Sequence, residues 1–179
     1  MARQLQTRAQ VQDYLTEFLG SNQQCTIYET EHGWVCQPIL TPEELASGRG
    51  LGLGNYVVNK QTGIVTAHRS LPPTVIGREF DEAIRTGQPV QGYQVYPPTW
   101  RVQIERIRET PAEIDYRVRA ESLTQPPQPP ADHQLTINKR SHRFHTEIPA
   151  THLACRRAAA WAQARSQTGT WPETGTFEF

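Results

Sequence analysis

The chain has 179 residues, with 18 Lys and Arg against 18 Asp and Glu. That length suits one ordinary domain or two small ones, each able to bury a core, and the balanced charge gives no long-range steering toward nucleic acid or an anionic membrane. Three cysteines, Cys25, Cys36 and Cys155, show no CxxC spacing, which argues against a disulfide framework or a structural zinc site and fits a reducing cytosol.

The opening residues MARQLQTRAQ lack an apolar core of the signal-peptide kind, and no apolar run approaches the ~18 residues of a membrane span. A cytoplasmic protein is the expectation. Val11, Tyr14, Leu15, Phe18 and Leu19 recur at spacings of three and four, predicting a helix stopped by Gly20-Ser21-Asn22. Cys25 to Glu31 and Trp34 to Leu40 read as strands joined at His32-Gly33, and the two thiols either face each other across them or pack as small hydrophobes. Thr41 is placed as an N-cap, Pro42 at the first helical position and Glu44 as the return half of a capping box, with Gly48 and Gly50 ending a short helix. Tyr56 to Val58 and Ile64 to Thr66 form a β-hairpin around Asn59 to Gly63, where Gly63 supplies the positive φ. After Leu71-Pro72-Pro73, a second amphipathic helix runs from Thr74 to Thr86 and closes at Gly87.

Gln88 to Thr99, with three prolines and two tyrosines, reads as an extended connector that its aromatics can tie down. Beyond it, Trp100, Val102 and Ile104, then Ile114, Tyr116, Val118 and Ala120, alternate with charged residues and predict two half-buried strands joined near Thr110-Pro111. Their opposite charges are suited to cross-strand pairing. The Pro-rich segment Gln125 to Pro130 cannot enter a sheet and is a surface loop. Leu135 to Lys139 and Phe144 to Ile148 are a third and fourth strand turning at Arg140-Ser141, followed by an alanine-rich helix from Thr151 to Ser166. The expectation is an α+β chain of antiparallel sheets with flanking helices, in two small α+β halves. Residues 1–87 make the first, 88–99 the connector, and 100–179 a four-stranded sheet with a helix and an aromatic tail. Spacing does not say whether the halves share one sheet.

The first half carries a pattern that resembles the small YrhB-like domain. A short helix, Gly33-Trp34, an acidic helical insert, and a hairpin bearing Gly54, Asn55, Val57, Val58, Lys60, Thr62, Gly63, Ile64 and Val65 match it, up to about Gly87. The resemblance implies an immunity protein that binds and neutralises a cognate bacterial toxin, encoded by an adjacent gene, by occluding its active site. One relative of this kind is a small chaperone, which makes weak binding of unfolded clients the alternative. Neither role requires catalysis or a cofactor, and neither calls for nucleic acid or a membrane.

Several clusters invite sharper chemistry. The run Gly48, Gly50, Gly52 and Gly54 is not a phosphate loop, because it follows a helix and opens a strand and no GK[ST] occurs. His142 and His145 with Lys139, Arg140 and Arg143 form a basic cluster that suits nucleic acid or phosphate, against which stands a solvated turn with no stacking platform beyond Phe144 and a net charge of zero. A spacing of three on a strand points the two rings to opposite faces and disfavours a metal. Cys155 beside Arg156-Arg157 suggests an activated thiol, against which stands a helix position facing the sheet. An enzyme using Cys155 or a histidine is a third class of reading. The tail Thr168 to Phe179 has Trp171, Phe177 and Phe179, which either fold back, as an added edge strand, or contact a partner. Candidate partner-binding residues are therefore Glu43, Glu44, Asp81 and Glu82 as an acidic face, Arg140 and His142 at the hairpin, and Trp171, Phe177 and Phe179 in the tail.

Overall fold

The computed structural model describes residues 5–20, 23–48, 53–146, 152–167 and 169–179. Ser21, Asn22, Gly50, Gly52, Ile148, Thr151 and Thr168, which the sequence assigned to stops, a lead-in, a strand, a helix start and the tail, lie outside the described residues. The fold is α+β, with two antiparallel five-stranded sheets and, among the described residues, four helices. The sheets are separate, and the chain divides into the units 1–97 and 98–179.

In the first unit, α1 (Arg8–Leu19) opens with a capping box in which Thr7 and Gln10 satisfy each other's backbone N–H. The strands β1 (Cys25–Glu29), β2 (Gly33–Pro38), β3 (Asn55–Asn59), β4 (Val65–His68) and β5 (Tyr93–Tyr96) pair in chain order, with α2 (Pro42–Ala46) between β2 and β3 and α3 (Pro73–Thr86) between β4 and β5. Trp34, Cys36, Val58 and Val65 pack with Val11, Tyr14 and Leu15 of α1, while Val35 and Val57 pack with Ile76 and Phe80 of α3. A sheet covered on both faces explains why β2 is a continuous apolar run rather than an alternating one. Gly63 takes φ 73° in the β3–β4 turn, where its carbonyl accepts the Tyr14 hydroxyl at 2.7 Å. Ile27 stands opposite Cys36 and Pro38 opposite Cys25, so the two thiols are not directly paired, and both are free.

The expected connector is corrected by β5. Tyr93–Tyr96 adds to the open edge of β4, and Tyr96 stacks on Phe18 at 5.4 Å and meets Tyr14 edge-on at 5.4 Å. Aromatic docking onto α1 outweighs the prolines, which fall at position 89 before the strand and at 97 and 98 just beyond it.

In the second unit, β6 (Trp100–Glu109), β7 (Glu113–Ser122), β8 (Ala131–Asn138), β9 (Phe144–Thr146) and β10 (Thr174–Glu178) are ordered β10-β6-β7-β8-β9, and α4 spans His152–Ser166. Five strands replace the expected four because the tail returns to pair with β6. Val102, Ile104, Ile114, Tyr116, Val118, Leu135 and Ile137 face α4, whose Cys155, Ala158, Ala159 and Ala162 are all buried. Small side chains let the helix lie close to the sheet. The other face is polar, and its charges pair as anticipated only in part. Arg108 donates to the buried Asp115 at 2.7 Å, but Arg117, opposite Glu105, turns instead to Asp132 on β8 at 2.6 Å.

Candidate functional site

The short helix α2 forms from local signals alone. Thr41 Oγ1 accepts from Glu44 N at 3.3 Å, Glu44 Oε2 accepts from Thr41 N at 2.9 Å, and Pro42 occupies the first turn. With the Thr41 and Glu44 N–H groups satisfied within the segment, the helix is shaped by local bonds, and none of its five residues is buried. Leu45 is 57% exposed and Ile39, just before the helix, 52%. The backbone beneath Ile39 is nonetheless held: its N–H donates to Gln24 O at 2.8 Å and its carbonyl accepts Gln23 Nε2 at 2.9 Å. Glu43 is exposed and has no ion pair or side-chain hydrogen bond among the described residues, whereas Glu44 is committed to the cap. This segment therefore offers two apolar side chains and one carboxylate to solvent on a fixed backbone.

Asp81 and Glu82, the other half of the expected acidic face, do something different. The Asp81 carboxylate lies 3.0 Å from the Thr30 hydroxyl and accepts from the N–H groups of Glu31 at 3.0 Å and His32 at 2.9 Å. It staples the β1–β2 turn to α3. Glu82 meets Arg85 at 2.6 Å, and Arg85 also reaches Glu31 at 3.1 Å, all at the surface. A shallow groove of about 530 Å³ beside them is lined by Tyr28, Thr30, Gly77, Asp81, Glu82 and Arg85, and Glu43 and Glu44 are not part of it.

The hairpin and tail candidates are partly brought together. Asn138 Oδ1 accepts from the N–H groups of Arg140 and Ser141, forming the β8–β9 turn, and His142 completes it at φ 57°. The His142 ring meets Trp171 edge-on at 6.4 Å, and its carbonyl accepts Gln163 Nε2 at 2.8 Å. Arg140 stays exposed. Trp171 is buried, and the neighbouring Pro172 carbonyl accepts the Tyr116 hydroxyl at 2.8 Å. Phe177 stacks on Trp161 at 5.6 Å, and Phe179 tilts against Phe177 at 6.5 Å. The tail aromatics thus fold back onto the unit.

No protein-family model, curated protein or solved structure matches this chain.

The residues of the hairpin pattern are engaged in packing. Trp34 Nε1 donates to Leu5 O at 2.9 Å, and Lys60 lies 4.8 Å over the Trp34 ring while bonding Glu29 at 2.9 Å and the Thr30 carbonyl at 2.6 Å. Burial pushes the Cys25 thiol up to about 11 and the Cys36 thiol further still, so both are protonated near neutrality. Cys155 is buried against the sheet, its Sγ 3.6 Å from Thr146 Oγ1. Among the described residues no group of three His, Cys, Asp or Glu is placed to hold a metal ion. No helix of the described residues is long and apolar enough to cross a membrane. Ile39 and Leu45 were missed from sequence, since apolar residues beside a helix are ordinarily read as core. The available signal was the helix length: between Thr41 and Gly48 there is too little chain to build a buried face.

Proposed function

We propose that this chain is an immunity protein that binds a cognate protein toxin, encoded by an adjacent gene, and neutralises it by occluding its active site. The observation that carries the reading is α2 with the residue leading into it: a capped helix with no buried residue exposes Leu45, Ile39 just before it is exposed too, and the Glu43 carboxylate has no ion pair among the described residues. Binding energy concentrates in a few anchors that fill a partner's pocket, and side chains on an already ordered backbone lose little freedom on docking. Glu43 favours a basic rim around that pocket. A stable complex of standard size buries about 1,600 Å² in total, so α2 supplies the central anchors and the surrounding surface of the first unit the rest. The YrhB-like pattern supplies the functional class, and it calls for binding rather than catalysis.

The alternative, a small chaperone, needs a broad apolar patch to hold many clients. Among the described residues the other large exposed apolar side chains, Tyr28, Tyr93, Ile107 and Leu153, belong to four different elements, which favours one dedicated partner. The test is co-expression with the toxin encoded next door, reading growth rescue and complex affinity. Leu45→Asp and Glu43→Lys are expected to abolish rescue and weaken the complex at least about tenfold, with unchanged unfolding curves because both side chains are exposed. Full rescue by both variants removes α2 as the docking element. Suppression of client aggregation without a stoichiometric partner replaces the immunity reading with the chaperone.

A further inference from the structure

Among the described residues strand β10 pairs with β6 alone and forms one edge of its sheet. Phe179 N donates to Trp100 O and Trp100 N to Phe179 O, both at 3.0 Å, and Arg106 N donates to Glu173 O at 2.7 Å. In an antiparallel ladder this assigns the odd-numbered residues to the pairing with β6, so the N–H and C=O groups of Thr174, Thr176 and Glu178 point outward along the free edge. All three residues are exposed, and no Lys or Pro within Thr174–Glu178 blunts the edge.

One face of the sheet is covered by α4, whose Trp161 and Arg157 side chains reach β10 and Phe179. Trp161 lies over Gly175 so closely that a Cβ there would come within 2.0 Å of the ring. The Arg165 guanidinium sits 3.8 Å above Trp161, and that of Arg157 5.5 Å above Phe179. Arg157 and Arg165 are two turns apart, about 12 Å along the helix axis. Gly175 to Phe179 covers about 13 Å of strand. The two cations therefore accompany β10 at the spacing of residues i and i+4 of a strand. The helix sequence HLACRRAAAWAQARS also carries Arg156 and contains no Asp or Glu. On the opposite side of the edge, Thr174 and Thr176 are neutral, and Glu178 is paired with Arg101 at 2.9 Å.

We propose that the free edge of β10 accepts an extended acidic segment of a partner protein as a sixth strand, with carboxylates four residues apart meeting Arg157 and Arg165. Outward backbone groups supply the affinity, and the arginines select the sequence, in the manner of strand addition to an open sheet. A second copy of this chain fits poorly. It would present Gly175, Phe177 and Phe179 to the α4 side and bring two arginine-bearing helices onto the same face, where like charges repel. The proposal goes beyond the immunity reading, because it concerns residues 98–179 and survives a failure of toxin rescue.

The test uses the full chain and a fluorescein-labelled peptide of alternating Thr and Val, with Glu at its second and sixth positions, against the same peptide with Lys there. Anisotropy is expected to show the Glu peptide binding at least about tenfold more tightly than the Lys peptide. Thr176→Pro removes an outward N–H while leaving the bonds to β6, and should weaken the Glu peptide about tenfold with unchanged circular dichroism. Charge reversal by Arg157→Glu with Arg165→Glu should invert the peptide preference. Equal binding of the two peptides, or binding indifferent to Thr176→Pro, overturns the proposal. So does a concentration-dependent dimer in sedimentation that Thr176→Pro abolishes, since the edge would then belong to a second copy.

Discussion

The carboxylate of Asp81 holds three groups of the β1–β2 turn, whereas that of Glu82, one residue on, meets Arg85 at the surface and no other group among the described residues. Removing an acceptor that leaves partly buried N–H groups unpaired costs about 1–3 kcal/mol, while an exposed ion pair contributes about 0–1 kcal/mol. Asp81→Ala should therefore lower the urea midpoint clearly, and Glu82→Ala should leave it nearly unchanged. Equal effects would show that the turn is held by something else. Helical spacing placed both acids on α3, but not that one turns inward, because its partners are about 50 residues away in the chain. Separations of about 30 residues likewise hid the roles of Trp34 and Lys60, which are joined to Leu5, Glu29 and Thr30. Thr41 and Glu44 were legible because a capping box is complete within four residues.

Elements with internal periodicity were legible and those made by docking were not. The alternation in Trp100 to Glu105 and Ile114 to Ala120 identified β6 and β7, and the apolar stripe from Val75 to Ile84 identified α3. By contrast β5 is four residues bounded by glycine and prolines, and it becomes a strand because β4 offers an open edge and Phe18 a ring to stack on. The tail lies between these cases: its aromatics allowed an added edge strand or a partner contact, and β10 is the edge strand, kept in place by β6 and by the Trp161 ring over Gly175. Gly175→Ala should displace that ring, break the Trp161–Phe177 stack and destabilise the second unit by about 1–3 kcal/mol. Loss of near-ultraviolet aromatic dichroism with a lowered unfolding midpoint is the expected result. An unchanged spectrum would mean that the ring does not seal the strand.

Across the whole molecule, each sheet has its own buried core: Trp34, Val35, Val57 and Val58 with α1 and α3 in one unit, Ile114, Tyr116, Leu135 and Ile137 with α4 in the other. A unit that buries its own core can fold by itself. Chains of residues 1–97 and 98–179, expressed separately, are each expected to unfold cooperatively in a thermal melt, and the first should fail if cut at Gly87, which removes β5. A shorter chain that melts as sharply would reduce β5 to an accessory strand. From the sequence alone came the α+β class, most element positions, the capping box of α2 and the alternation of the second sheet, because each is written in the spacing of near neighbours. Only the tertiary structure decided that β5 and β10 complete the sheets, that Asp81 and the tail aromatics serve the fold, and that Leu45, Ile39 and the edge of β10 remain exposed. Those outcomes depend on which distant surfaces meet and which are left uncovered, and residue spacing carries no record of that.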